Sequence, residues 1–145
     1  MNRTSWLERN KDIGTLALRL FIGIRLVYGV ADNVFSWDHM IKFRDFLQLF
    51  NFPAPLLSAM VSVYAQLLAG VMIVLGWKIR LAAMLMIVNF LVAIIMVHRG
   101  DSFEQATPAL AMLFCSVLFL FSGAGKYSMD HLNAQAKQIS NVANV

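Results

Sequence analysis

The stretch LLSAMVSVYAQLLAGVMIVLGWKIRLAAMLMIVNFLVAIIMV, residues 56–97, consists of two apolar runs joined by the four residues WKIR. The runs, 56–76 and 81–97, approach the length of about 20 apolar residues that a helix needs to cross a hydrocarbon core. Neither run contains a charged side chain. Because so short a connection makes two helices antiparallel neighbours, the stretch predicts a transmembrane hairpin.

Two more segments, 13–31 and 106–125, have the same length and apolar character. The whole chain of 145 residues is 59% hydrophobic and 14% charged, whereas soluble domains carry about 25% charged residues. We therefore predict an all-α integral membrane four-helix bundle that forms a single domain over residues 1–145 and contacts the lipid bilayer. The polar tail, residues 126–145, is expected to fray.

An additional helix is predicted between the first two spans. The segment WDHMIKFRDFLQLF, residues 37–50, places its apolar side chains at helical spacing, at Trp37, Met40, Phe43, Phe46, Leu47 and Phe50. This pattern is typical of an amphipathic helix that lies in the membrane interface. The alternative is a helix that packs its apolar face on the bundle and caps it.

The basic residues beside the spans predict the orientation. With four spans both termini lie on one side of the membrane, and basic residues are enriched on the cytoplasmic side. Seven basic residues fall on the side of the termini and three on the other, namely Arg3, Arg9, Lys11, Lys78, Arg80, Lys126 and Lys137 against Lys42, Arg44 and Arg99. We therefore expect both termini to be cytoplasmic.

Two arginines, Arg19 and Arg25, interrupt the first span. Six residues of helix turn through about 600°, which leaves these side chains about 120° apart. Arg25 shares a face with Gly29 and Asp32. We therefore expect Arg25 to lie on the inner face of the bundle with Asp32 as its partner, and Arg19 to extend toward the cytoplasmic headgroups. The Arg25–Asp32 pair is interpreted either as part of a binding site or as an ion pair that only fixes the first helix.

Polar side chains in the other spans are candidate neighbours of Arg25. A small and polar stripe recurs every four residues in the second span, at Ser58, Ser62, Gln66 and Gly70. Polar residues at membrane depth usually face the bundle interior. The predicted ligand-binding residues are Arg25, Asp32, Gln66, Asn89 and His98, in an outward-opening pocket for an electronegative ligand such as a quinone carbonyl or an oxidised sulfur anion. In the structural alternative Gln66 and Asn89 only hold helices together.

Several other kinds of site find no support in the sequence. The net charge of +4 is scattered, without the basic face of a nucleic-acid-binding protein. His39 and His98 have neither metal-ligand spacing nor the paired depth of haem ligands, so we predict no metal site. The single cysteine, Cys115, forms no redox pair within the chain. No cofactor is therefore built in, no catalytic group is identified, and a bound quinone is the candidate cofactor.

Four short motifs occur in the order and spacing of a known family. They are Arg19, Leu20, Gly23 and Gly29 in the first span, Leu75 and Gly76 followed by RLAA at 80–83, Ala93 followed by His98, and GAGKYSMD at 123–130. On these motifs, residues 13–131 resemble the DoxX family of small four-helix bacterial membrane proteins. The resemblance implies a place in the bacterial cytoplasmic membrane and similarity to the small membrane subunit of thiosulfate:quinone oxidoreductase.

The resemblance implies a membrane subunit of a redox complex that handles a quinone or a sulfur compound, with protein partners. Two positions depart from the family pattern, because Asp32 and Gln66 stand where many members have a lysine and a glutamate. A glutamine cannot relay a proton as a carboxylate does, which removes that role from Gln66. The alternative function is a scaffold or assembly factor without catalysis of its own, and a homo-oligomer is left open. A permease is least favoured because the sequence contains no broken helix or inverted repeat.

Overall fold

The computed structural model describes residues 3–143, whose regular elements are α-helices. In chain order they are α1 (Arg3–Arg9), α2 (Lys11–Phe35), α3 (Trp37–Leu49), α4 (Pro55–Leu75), α5 (Ile79–Met96), α6 (Phe103–Ser122) and α7 (Met129–Ala143). Four of these, α2, α4, α5 and α6, are long and apolar enough to cross a membrane. The predicted all-α membrane bundle is confirmed. The bounds of three spans match the predicted ones to within a few residues, while α2 is longer than expected at both ends.

The four spans pack in the spatial order α2, α4, α5, α6, and each contacts the next. Two glycines bring α2 and α4 close together: a Cβ at Gly23 would lie 2.8 Å from the Gly70 carbonyl oxygen, and one at Gly70 would lie 3.0 Å from the Gly23 carbonyl oxygen. Small residues at membrane helix contacts allow such an approach of two backbones. The contact fixes the register of α2 against α4.

The bundle has two ends that the chain builds differently. The terminal end carries the start of α2, the turn from α4 to α5 and the end of α6. The distal end carries α3 with the turns before α4 and after α5. We use these two names below.

Helix α3 packs one face on the distal end of the bundle. Met40 and Leu47 are 1% and 4% exposed, in a cluster with Val30 of α2 and Ala59 of α4. The outer face keeps Leu49, which is 79% exposed. The predicted amphipathic helix is therefore present, and its inner face contacts protein as in the capping interpretation.

The C-terminal segment corrects one expectation. Residues 129–143 form α7 instead of fraying, because the helix start is fixed by the bundle. The Asp130 carboxylate accepts hydrogen bonds from the backbone N–H groups of Lys78 and Ile79, at 2.7 and 3.1 Å. The Asp130 N–H in turn donates to the Gly76 carbonyl oxygen at 3.0 Å. These contacts come from residues about fifty positions away, so local sequence could not predict them.

Candidate functional site

A cavity of about 830 Å³ lies between α3, α4 and α5 in the distal half of the bundle. Most of its wall is apolar, with Phe43 and Phe46 contributed by α3. Val61 of α4 and Val88 of α5 also line it and are 61% and 62% exposed. Because these two valines lie on the outer surface of membrane-spanning helices, the cavity opens toward the lipid.

Three hydrogen-bonded side chains form a polar patch in this apolar wall. The Ser62 hydroxyl donates to Asn89 Oδ1 at 2.8 Å and accepts from Gln66 Nε2 at 3.1 Å. All three residues line the cavity. Ser62 and Gln66 are four positions apart along α4, which places both on one helix face opposite Asn89 of α5. We call these three side chains the polar patch.

The polar patch retains unused hydrogen-bonding groups. Within the described part of the chain, Asn89 Nδ2 and Gln66 Oε1 make no hydrogen bond. Reversing both amides around Ser62 exchanges the two residues but again leaves one N–H donor and one carbonyl acceptor. A ligand in the cavity therefore meets a neutral donor and a neutral acceptor side by side.

His98 lines the same cavity just beyond the end of α5. Its Nδ1 lies 2.7 Å from Asp101 Oδ2, and the two side chains are 24% and 36% exposed. The carboxylate orients the imidazole ring, and Nε2 is the ring nitrogen that this contact leaves unused. Over residues 3–143, no group of three or more His, Cys, Asp or Glu side chains is placed to hold a metal ion.

Arg25 and Asp32 lie elsewhere, which corrects the expected position of Arg25 on the inner face. Both residues are exposed and neither lines the cavity. The inner face of α2 is instead formed by Ile22, Leu26 and Val30, each 3% exposed. The expected pair also fails to form, since no salt bridge joins Arg25 to Asp32 in the described residues. The structure thus brings together Gln66, Asn89 and His98 of the five predicted site residues, and a role of any of the five in ligand binding stays a prediction.

Arg19 is the buried arginine of the first span, contrary to the expectation that it extends to the headgroups. It is 1% exposed and lies at the terminal end. Its guanidinium donates to the carbonyl oxygens of Ile73 and Val74 in the last turn of α4, at 3.0 and 2.9 Å. It also donates to those of Ala124 and Tyr127 after α6, at 2.6 and 2.9 Å.

The burial of Arg19 follows from the carbonyl groups around it. The last four carbonyl groups of a helix have no partner within that helix, and in lipid they need one from elsewhere. A guanidinium supplies five N–H donors in one plane, which suits Ile73 and Val74 together with two loop carbonyls. Gly76, with φ of 64°, leaves room for it, since a Cβ there would lie 2.5 Å from Arg19 Nη2.

The sequence contained signals for the residues that the prediction missed. Arg19 shares the spacing of Ile22, Gly23 and Leu26, so the inner stripe of α2 includes it. The small and polar stripe of the second span includes Ser62, yet its place between Gln66 and Asn89 depends on the packing of α4 on α5. The contact of His98 with Asp101 depends on the turn after α5, in which the Asp101 N–H donates to the His98 carbonyl oxygen.

Comparison with known proteins agrees with this architecture. The DoxX family model matches residues 14–99, which is more than half of the chain and includes α3 to α5 and most of α2. No curated protein and no solved structure matches the chain. With four membrane-spanning helices and this match, the chain is a multi-pass membrane protein that belongs to the DoxX family.

Proposed function

We propose that this protein is the membrane subunit of a redox complex and that its distal cavity binds a quinone. The observation that supports this is an apolar cavity, open to lipid, with a neutral donor and a neutral acceptor on its wall. Binding sites for small molecules combine predominantly apolar walls with a few placed polar groups. A quinone matches both features, because it is a lipid-soluble ring that carries carbonyl oxygens.

The polar patch suits both oxidation states of such a ligand. An amide N–H of Asn89 can donate to a quinone carbonyl, while the carbonyl of Gln66 can accept from the hydroxyl of the reduced quinol. Reduction of a quinone to a quinol takes up two electrons and two protons. The chain has one cysteine and so forms no dithiol of its own, and in this proposal a partner protein supplies the electrons. His98 and Asp101 at the distal mouth are the groups placed to exchange protons with solvent.

The charge of the lining favours a quinone over an oxidised sulfur anion. The residues that line the cavity include no lysine, arginine, aspartate or glutamate, and the imidazole of His98 at the mouth is already in contact with the Asp101 carboxylate. An anion buried among apolar side chains requires a cationic partner, and its desolvation is otherwise very unfavourable. A neutral ligand carries no such requirement.

Quinone binding is testable on the purified protein. We expect protein purified in mild detergent to retain a quinone in its organic extract and to bind a short-chain ubiquinone analogue. Replacing Asn89 by leucine keeps the branched shape of the side chain and removes the amide, and should weaken binding about fivefold, as loss of roughly one hydrogen bond does. Ser116→Ala is the matched control, because Ser116 donates to Met112 of its own helix and does not line the cavity. No binding of the analogue by the unmodified protein would overturn the proposal.

A scaffold or assembly factor is the second candidate function, and α7 supplies the observation that favours it. Beyond its fixed first turn this helix exposes Leu132, Ile139 and Val142, at 62%, 72% and 79%. Exposed apolar side chains of this kind are available to a partner protein. Deletion of residues 132–145 should release the partner and leave binding of the ubiquinone analogue unchanged, whereas loss of analogue binding would contradict this separation.

We propose that both termini face the cytoplasm and that the cavity lies in the outer half of the membrane. The support is the excess of basic residues at the terminal end. In a Cys115→Ala background, a membrane-impermeant thiol reagent should label Gly100→Cys in intact cells and fail to label Ser140→Cys. Both positions are exposed. The opposite labelling pattern would place the cavity on the cytoplasmic side.

A further inference from the structure

Another cavity, of about 740 Å³, lies at the terminal end of the bundle. The start of α5 forms one wall, and the segment that joins α6 to α7 forms the other. Its volume falls within the range of about 300–1,000 Å³ that is usual for small-molecule sites. It shares no lining residue with the distal cavity. We call it the terminal cavity.

Three cationic side chains line the terminal cavity. Lys78 and Arg80 lie at the start of α5, and Lys126 lies in the loop after α6. All three are exposed, and none of them forms a salt bridge within the described part of the chain. Cations that converge on one concave surface create a positive potential there. The cavity therefore favours an anionic ligand.

Two carboxylates also line the terminal cavity, and each already stabilises a helix start. Asp130 accepts the N–H groups of Lys78 and Ile79 at the beginning of α5. Asp12 lies in the first turn of α2, where the positive end of the helix dipole favours a carboxylate. The three cations thus outnumber the two carboxylates and remain available to a ligand.

The backbone on both sides of the terminal cavity is held in place by hydrogen bonds. Buried Arg19 donates to the carbonyl oxygens of Ala124 and Tyr127, which lie on either side of Lys126 in the chain. On the opposite wall the Lys78 N–H donates to the Asp130 carboxylate. Binding at such a preformed surface requires little ordering of the backbone.

The terminal cavity lies at the depth of the lipid headgroups. α4 and α6 end and α5 begins beside it, and aromatic side chains are enriched at this boundary in membrane proteins. Trp77 and Tyr127 are 38% and 51% exposed there, and Lys78 Nζ lies 5.1 Å from the centroid of the Trp77 ring. Leu81 of α5, 44% exposed, also lines the cavity. A ligand at this site therefore meets cations and an apolar, lipid-facing side chain together.

From these observations we infer that the terminal cavity binds the headgroup of an anionic phospholipid, with Lys78, Arg80 and Lys126 around its phosphate. Basic pockets at the ends of membrane helices bind such headgroups, and a guanidinium fits two phosphate oxygens at once. A zwitterionic lipid would bring a further cation to a surface that already has three. A soluble phosphate ion would use the cations but would leave Leu81 without an apolar partner.

Native mass spectrometry of the protein in mild detergent, mixed with phosphatidylglycerol or phosphatidylcholine, tests this inference. We expect the protein to retain one phosphatidylglycerol, with at least about tenfold higher affinity than phosphatidylcholine. The combined variant Lys78→Gln, Arg80→Gln and Lys126→Gln should bind phosphatidylglycerol at least about tenfold more weakly, because each cation near a headgroup strengthens binding several-fold. No retention of phosphatidylglycerol by the unmodified protein would overturn the inference.

The matched control separates a site from general attraction to a basic surface. It combines Arg9→Gln, Lys11→Gln and Lys137→Gln, and so has the same net charge as the cavity variant. These three cations, in α1, α2 and α7, are exposed and do not line the terminal cavity. The control should change the affinity by less than about twofold, because exposed charges away from the phosphate are screened by salt. Equal losses in two variants with unchanged circular dichroism would overturn the inference.

Inorganic phosphate separates a lipid site from a site for a soluble anion. In competition with phosphatidylglycerol on the unmodified protein, we expect inorganic phosphate to bind at least about tenfold more weakly than the lipid, since it lacks the acyl chains. Equal affinities would contradict the assignment to a lipid. The outcome is independent of quinone binding, because the two cavities share no lining residue.

Discussion

The two ends of the bundle differ in how fully their polar side chains are hydrogen-bonded within the protein. At the terminal end Arg19 is buried and donates to four carbonyl oxygens. At the distal end the polar patch is neutral, opens toward lipid and keeps a donor and an acceptor unused. A polar group that is fully bonded inside the protein stabilises one structure, whereas a group with spare bonding capacity in a cavity can bind something else. We therefore expect the terminal end to contribute mainly to stability, and we propose ligand binding for the distal end.

Removal of Arg19 should have the largest effect. Arg19→Leu removes a donor from four carbonyl groups, of which only that of Ile73 keeps another in the described structure, the Gly76 N–H, and we expect a loss of more than about 3 kcal/mol in the free energy of unfolding. Unfolding by SDS in mixed micelles, followed by circular dichroism, measures it. The control is Arg25→Leu, which removes the same residue type from the same helix without a hydrogen bond within the described chain, and should change stability by less than about 1 kcal/mol. Equal losses in the two variants would contradict the comparison.

Gly76→Ala should have the next largest effect. Its φ of 64° disfavours a side chain, and the new Cβ would lie 2.5 Å from Arg19 Nη2 and 2.6 Å from Ser128 Cβ. We expect a loss of about 2 kcal/mol, because the arginine has to shift away from its carbonyl partners. Gly14→Ala is the control, since a Cβ at Gly14 meets nothing within 4 Å. That variant should be neutral or stabilise the helix by up to about 1 kcal/mol.

Asp130→Ala should have a smaller effect at the same end. It removes the acceptor for the N–H groups of Lys78 and Ile79 at the start of α5, and such helix caps contribute about 1 kcal/mol. Proteolysis should also become faster in α7, because its first turn is no longer held. Asn133→Ala, one turn further along α7 on an exposed position, is expected to change neither the melting temperature nor the cleavage rate. An unchanged cleavage rate in Asp130→Ala would show that this carboxylate does not anchor the helix.

Ser62→Ala should have the smallest effect on stability, below about 1 kcal/mol, since Ser62 links Gln66 and Asn89 at the edge of an open cavity. Its effect should appear instead in ligand binding. We expect the increase in melting temperature produced by the ubiquinone analogue to fall in this variant. Ser122→Ala, whose hydroxyl donates to Leu118 of its own helix, should retain the full increase. A large loss of stability in Ser62→Ala would mean that the distal patch is structural like the terminal end.

The sequence predicted the spans well because apolar length and the four-residue turn are local properties. It did not predict which arginine faces inward, for a physical reason. In lipid both the inner and the outer face of a span are apolar, so hydrophobicity does not distinguish them as it does in a water-soluble helix. The presence of Gly29 and Asp32 near Arg25 suggested an inner position, whereas packing of α4 against Gly23 places Arg19 there. The anchoring of α7 by Asp130 was missed because its partners lie at the α4–α5 turn.

The hydrogen bonds of Arg19 constrain how the protein is made. Its partners lie far along the chain, with Ile73 54 residues and Ala124 105 residues away. The ribosome therefore completes α2 long before the carbonyl groups that accept hydrogen bonds from Arg19 are available. During synthesis the Arg19 guanidinium in the first span lacks its hydrogen-bond acceptors. It has all four of them only after the last span has been inserted. We therefore expect the native position of the first helix to become stable only after the last span has been inserted.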